Sequence, residues 1–496
     1  MSTPPPASNL PQEKGHHELR AHLAELYWRV ITRPIPPDQV LSFYFRHSKD
    51  LAQKARGFLA AALYDLLRER MRLHALLEDR HLHHLSIKDQ MEKNQSIADP
   101  RLQRRAPYVP WNGCIPLPRL RAEEETIAAL SFWLWRQYGA FISEQKSLFA
   151  ILIDHWRNLP ILQDETRRFP NPHLIEPLLF ASIPGSLKEP LQTVFGSGLT
   201  ADVARRWQSR FGTEEFELLI REFNRPAPLD LRINTHKMTR EQALELFAKN
   251  DIKAEATPLS PDGLRLQQKM NVFKLEAFEE GCFEVQDAGS QLVGFACNAK
   301  PTWKVLDACS GAGGKSLHLS ALMKNRGEIY AHDQEDERLQ SQKKRLRRSN
   351  CQNVRLVEPG TAAEHAPYDL VLVDAPCLGF GTLRRNPDFL WRSPLEVRLS
   401  EIAALQNLCL DQYAPLVKPG GIFVYVTCSF EPEETIDLLN QHPLIQKDFT
   451  PDPLLPHFQY HGIKVGGLAP GANHLTLLPH QHQTDGFFIA RYRRKG

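Results

Sequence analysis

Apolar residues recur every three or four positions in the first third of the chain. In the last third they alternate or form short unbroken runs. From about His16 to Trp156 the stretches LRAHLAELYWRVI, QVLSFYFRH, LAQKARGFLAAALYDLLRERMRLHALL and AEEETIAALSFWLWRQYGAFI place apolar residues at i, i+3, i+4 and i+7. That spacing predicts helices with one buried face. Residues 99–119, DPRLQRRAPYVPWNGCIPLPR, interrupt it with five prolines and read as an irregular excursion. ADVARRWQSRFGTEEFELLIREFN predicts another helix, ending before Arg225-Pro226-Ala227-Pro228. The period then changes. LDLRINT alternates as a strand does, TREQALELFAKN reads as a helix, and LSPDGLRLQ reads as a hairpin or strand. From about Val285, the apolar runs WKVLDAC, GEIYAHD, VRLVE, YDLVLVDAP, GIFVYVTC and DGFFIARY read as strands, with helices between the early ones. That order predicts a doubly wound, mostly parallel sheet.

The expected organisation is therefore multidomain: a disordered polar tail over 1–15, an all-α domain over 16–170, a helical linker with a small α+β module over 171–284, and an α/β Rossmann-like domain over 285–496. A chain of 496 residues exceeds one ordinary core, which agrees with several domains. Hydrophobic content of 42% and charged content of 24% are those of a soluble globular protein. A net charge of +3 permits nucleic-acid binding without arguing for it. No apolar run reaches the length of about 18 residues that a membrane span needs. The start, Met1-Ser2-Thr3-Pro4-Pro5-Pro6, lacks a secretory pattern. None of the eight cysteines forms a CxxC pair, and His457 and His461 lack the HExxH glutamate. No metal, no membrane and a cytoplasmic, monomeric protein are the expectations.

Four motifs carry candidate chemistry. Asp307-Ala308-Cys309-Ser310-Gly311-Ala312-Gly313-Gly314-Lys315 follows a strand and opens a helix. Its glycines permit a sharp turn and close approach of a ligand, and a helix N-terminus favours an anionic group. The spacing matches neither GxGxxG nor GxxxxGK[ST]. Asp333 ends the next strand and is placed to bind ribose hydroxyls, although a helix cap is the commoner role of such a residue. Together they imply an adenosine-containing cofactor. The third motif, Asp374-Ala375-Pro376-Cys377, holds a carboxylate and a thiol around a proline, with Arg384 and Arg385 downstream, suited to phosphate or base edges. The fourth, Thr427-Cys428-Ser429, puts a second thiol just past a strand, with Glu431, Glu433 and Glu434 expected in the first turn of the next helix. Two thiols at two strand ends suggest one cleft and covalent catalysis. Packing alone explains either cysteine singly.

With these residues in hand, the chain resembles the S-adenosylmethionine-dependent RNA cytosine-5 methyltransferases. The matching stretches are NRPAPL, LRINT, VQDAGSQL, VLDACSGAGGK, AHD, VLVDAPC, GTLRRNPDFLW, LVKPGG, TCS with Glu434, and TDGFFIAR, spanning roughly 198–495. More weakly, AQKARGFLAAALYDLLRERMRLHALL is similar to a NusB-like RNA-binding domain. The combination resembles the bacterial 16S rRNA (cytosine-5) methyltransferase B type, with a small RRM-like module between the two domains. The resemblance implies Cys428 as nucleophile on cytosine carbon 6, Asp374 as hydrogen-bonding partner of the base, and Cys377 as helper in release. It implies S-adenosylmethionine held by Asp307 to Lys315, by Asp333 at the ribose, by Asp374, and by Arg338 and Glu358. Glu358 stands where the family often has Asp near the adenine, and Ala312 where it usually has Pro. Arg338 fits a salt-bridged helix face equally well. Arg384 and Arg385 are expected at RNA phosphates, and the helix Lys343–Arg348 is expected to be either a solvated face or an RNA contact. The implied partner is RNA, above all 16S rRNA. The alternatives are another RNA such as tRNA, or a non-catalytic assembly factor. The target base must be unpaired or flipped from its stack.

Overall fold

The computed structural model describes residues 14–32, 35–49, 51–92, 129, 197–268, 270–390 and 395–496. Residues 1–13 of the expected tail, the 99–119 excursion and the rest of 93–196 save residue 129 lie outside the described residues, while Lys14 and Gly15, expected in the tail, open the first helix. Those described fall into two compact units. One runs up to Ile220 and takes in residues between Arg385 and Leu395; the other comprises Arg221–Arg384 and Glu396–Gly496.

In the first unit the described elements are helical, at Lys14–Thr32, Pro37–His47, Gln53–Glu92, most of Ala201–Phe223 and the short turn Pro387–Leu390. Leu23, Leu26 and Tyr27 of the first helix and Leu59, Leu63, Leu66 and Leu67 of the third are buried, as the three-to-four spacing predicts. Tyr44 links two of these helices by donating to Glu25 at 3.1 Å. No described helix is long and apolar enough to cross a membrane.

The second unit contains two sheets. The smaller is antiparallel, in the order β2-β3-β1-β4, from β1 (Leu229–Ile233), β2 (Ala254–Ala256), β3 (Gly263–Leu266) and β4 (Phe283–Val285). Leu231 and Ile233 pack with Phe247 of the helix Arg240–Lys249, which begins with a Thr239/Gln242 capping box. Alternation sends Asp230 and Arg232 the other way. There Asp230 pairs with Arg265 at 2.7 Å and accepts from the Ala288 amide at 3.3 Å.

The larger sheet runs β10-β12-β9-β8-β5-β6-β7, with β11 paired to β12. Its strands are β5 (Lys304–Asp307), β6 (Glu328–His332), β7 (Val354–Val357), β8 (Tyr368–Asp374), β9 (Val417–Thr427), β10 (Phe449–Pro451), β11 (His474–Leu477) and β12 (Phe487–Arg494). Strands β5 to β9 pair in parallel, while β10, β11 and β12 pair antiparallel. Period-two alternation builds a core on each face. Leu370 and Leu372 join Leu292, Val293 and Phe295 of the helix Ala288–Cys297, while Val371 and Val373 join Leu410 and Tyr413 of the helix Leu395–Tyr413. Burial on both faces is why β8 reads as one apolar run. The chain lays down β5, β6 and β7 in one direction, then returns to place β8 on the other side of β5. The sheet therefore reverses between β5 and β8, and a ligand crevice opens beyond the carboxyl ends of strands at such a point.

Candidate active site

Asp307 ends β5 at that reversal. Its side chain is buried, and Ser316 donates to one oxygen at 2.6 Å. The other oxygen has no hydrogen-bond partner among the described residues. Burial raises its pKa to about 7, helped by the nearby Asp374 and Asp333 charges.

The loop after Asp307 is tied down by its neighbours. The Ala308 amide donates to Leu372 O at 2.8 Å, and the Ser310 amide to His332 O at 2.9 Å. Gly313 turns the chain with φ +81°, where a Cβ would lie 2.8 Å from Gln342 Oε1. Asp333, just past β6, accepts from the Gly311 amide at 2.8 Å and from the Glu335 amide at 3.0 Å. A carboxylate has about four acceptor sites, so Asp333 can hold the loop and still accept from a diol.

A brace from outside the loop was not legible in the sequence. Gln342 donates to Ser310 Oγ and Gly311 O at 2.6 and 2.7 Å. Arg345 donates to Ala312 O at 2.6 Å and to Glu284 of β4 at 2.8 Å, and Arg348 also pairs with Glu284. Arg232 of β1, buried, donates to Gly314 O at 2.6 Å and to Gln286. The run Lys343–Arg348 was expected to be a solvated face or an RNA contact; Lys343, Lys344 and Arg347 are exposed, while Arg345 and Arg348 pair with Glu284 of the small sheet. The strand LRINT and the run VQDAGS were visible as stretches, but a strand pattern does not say that Arg232 reaches a loop 82 residues away.

On the neighbouring strands, Asp374 of β8 lies opposite Val426 of β9. Both chains leave the sheet at this level, and the sulfurs of Cys377 and Cys428 come to 3.3 Å. The hydrogen bond with Cys428 and burial together hold the Cys377 pKa well above that of a free thiol. Lys315 reaches across from the cofactor-loop helix to pair with Asp374 at 2.5 Å. Burial works against its charge, but Asp374 outweighs it and raises the lysine pKa, with Asp307 and Cys428 adding to the effect. Lys315 is thus a positive charge within electrostatic reach of Cys428, which the sequence did not identify. Gly381 and Gly486 lock the loops behind. Gly381 donates to Cys428 O at 2.9 Å, Gly486 donates to Gly381 O at 2.8 Å, and a Cβ on Gly381 would lie 2.0 Å from Gly486 O.

Four further expected residues lie outside these two loops or are turned inward. Arg338 is exposed and pairs with Glu335 at 2.8 Å, the salt-bridged helix face. Glu358 lies exposed just past β7. Arg384 corrects the phosphate expectation: its side chain is 3% exposed and ion-paired with Asp485 at 3.0 Å, so it ties loops together inside the protein. Arg385 is half-buried and belongs to the first unit. Among the described residues no cluster of His, Cys, Asp or Glu has the arrangement of a metal site.

Residues 295–493 match the family described as 16S rRNA methyltransferase RsmB/F. Residues 203–273 match the ferredoxin-like domain of RsmF/B-like proteins, which agrees with the small sheet. The probable ribosomal RNA small subunit methyltransferase B of Synechocystis is 34% identical over 297 residues, covering 58% of this chain and 65% of the relative. That of Bacillus subtilis is 32% identical over 305 residues, covering 59% and 66%. The chain thus spans just under two thirds of the length of these relatives. A methyltransferase homolog protein from Pyrococcus horikoshii is 28% identical with a TM-score of 0.52, over 61% of this chain and 97% of that one.

S-adenosylmethionine is the cofactor that goes with the RsmB/F family, and the loop fits it. Asp307 offers a buried, unpartnered carboxylate oxygen for a cationic amino group. Gly311 leaves open space around its Cα, and Asp333 retains acceptor sites beside it.

Proposed function

We propose that this protein transfers a methyl group from S-adenosylmethionine to carbon 5 of a cytosine in 16S rRNA through a covalent cysteine–cytosine adduct. The observation that carries the reading is the 3.3 Å separation of the Cys377 and Cys428 sulfurs beside Asp374. A methyltransferase acting on an oxygen or an amine has no need of two opposed thiols. Carbon 5 of cytosine is a poor nucleophile and needs one.

The bound cofactor supplies a methyl group activated by a sulfonium. Asp307, Gly311 to Lys315 and Asp333 hold it, with Glu358 proposed at the adenine side. Cys428, as the thiolate, adds to carbon 6 of the flipped base, forming an S–C bond and pushing electron density onto carbon 5. Asp374, oriented by Lys315, hydrogen-bonds the base near ring nitrogen 3 and steadies the adduct. Once carbon 5 carries the methyl group, loss of its proton returns an electron pair to the ring and expels the Cys428 sulfur. Cys377 assists that departure from its place beside Cys428. Lys315 places a positive charge within electrostatic reach of the nucleophile Cys428.

Bisulfite sequencing of total RNA tests this in a strain lacking the protein, complemented with wild type or Cys428→Ala. Loss of a 16S 5-methylcytosine, restored only by wild type, supports the reading. Loss confined to tRNA moves the substrate, and an unchanged map leaves a non-catalytic RNA-binding role.

A further inference from the structure

Glu434 was expected as an ordinary acidic residue in the first turn of a helix. Its side chain is fully buried instead. One carboxylate oxygen accepts from the amide of Leu378 at 2.6 Å, and the other accepts from the hydroxyl of Ser429. Leu378 directly follows Cys377, and Ser429 directly follows Cys428. Its own backbone is pinned as well, since Tyr425 of β9 donates to Glu434 O at 3.0 Å. One carboxylate thus joins the two loops that present the two thiols. The β8–β9 register brings both loops out of the sheet at one level, and past Ala375 the Gly381 amide donates to Cys428 O at 2.9 Å.

We infer that Glu434 is a positioning residue for catalysis, a clasp that sets the Cys377 and Cys428 sulfurs against each other by bonding the residue after each. Its bonds run to Leu378 and Ser429, so it acts through them. This rests on the proposed cysteine chemistry and adds what fixes its geometry. A buried carboxylate with both oxygens accepting is costly to a fold that gains only packing from it. The same site filled by an apolar side chain would leave the Leu378 amide without its partner.

The test is steady-state methylation of unmethylated 16S rRNA by the full-length protein, with thermal melting alongside. The variants are Glu434→Ala, Glu434→Gln, Ser429→Ala and Cys428→Ala. Glu434→Ala loses both bonds, and kcat is expected to fall about 100-fold, the scale of a misplacement near 1 Å. KM for S-adenosylmethionine should stay within about twofold, because the cradle is untouched. Glu434→Gln keeps an acceptor for the Leu378 amide, and Ser429 can turn to accept from the new amide, so this variant should recover most of the rate. Ser429→Ala removes one bond and should fall between. If Glu434→Ala does not fold, Ser429→Ala and Glu434→Gln still give the ranking. The proposal is overturned by a Glu434→Ala protein with near-wild-type kcat, by equal losses in the Ala and Gln variants, or by a loss that appears in the cofactor KM. Should wild type be inactive or Cys428→Ala active, the fault lies with the cysteine chemistry, not with the clasp.

Discussion

The two halves of the crevice are built in different ways. At the ends of β5 and β6 the cofactor loop is held by many bonds, from its own backbone and from partners on neighbouring elements. Asp333 lies 22 residues from the Gly311 amide that it binds. A second layer, from Glu284 and Arg232 of the small sheet, clamps the loop from outside. At the ends of β8 and β9 the reactive residues are held by fewer bonds. Cys377 and Cys428 are 51 residues apart, and their opposition rests on strand register, on the bond from the Gly381 amide to Cys428 O and on Glu434. The cradle is rigid because many bonds agree. The thiol pair depends on very few, which leaves room for a base to enter between loops. Changes in the cradle should therefore appear as cofactor affinity, and changes in the pair as turnover.

The largest effect should separate the two regions completely. Cys428→Ala should lower kcat by roughly a thousandfold or more, as loss of a nucleophile does. Cofactor affinity, measured by calorimetry, should remain that of wild type. Weakened cofactor binding in this variant would mean that the two regions are not independent.

A cradle change should do the reverse. Gly313→Ala forces a side chain into a left-handed turn at φ +81° and against Gln342. A strain of about 1–2 kcal/mol corresponds to roughly a tenfold weaker cofactor. KM for S-adenosylmethionine should rise by that factor, and kcat at saturation should change little.

The smallest effect concerns stability. Asp307 has a pKa of about 7 in the folded protein against 3.8 as a free side chain, chiefly because of burial. Between about pH 4 and 7 the folded state therefore holds more of this proton than the unfolded chain does, and stability falls as pH rises through that window. Asp307→Asn removes this contribution. Melting temperatures at pH 5 and pH 8 should differ less in the variant than in wild type.

Much of this architecture could be read from the chain. The six apolar runs became β5 to β9 and β12, since strands buried on both faces leave unbroken apolar sequence. Strands β10 and β11 were missed: FTP and HLTL are short edge pieces whose pairing is decided by β12. In the site, the loop from Asp307 to Lys315 was legible because glycines, a strand and a helix start are neighbours in sequence. The partners of charged residues were not. Arg384 looks like a phosphate ligand until Asp485, 101 residues on, turns it inward. Arg345 and Arg348 look like solvated charge until Glu284 of β4 is placed beside them. Glu434 was legible as a letter in a motif, but its role depends on two amide-and-hydroxyl partners from separate loops. Charge recorded in a sequence has no direction until the fold supplies one.

The central claim is that Cys428 bonds to the base while Cys377 helps release it. The most direct test incubates Cys377→Ala protein with unmethylated 16S rRNA and S-adenosylmethionine, then digests both and sequences any cross-linked fragment by mass spectrometry. The account predicts a methylated cytosine joined through carbon 6 to Cys428, accumulating because departure is slowed. Continued turnover by Cys377→Ala with no adduct, or an adduct on any other residue, would contradict it.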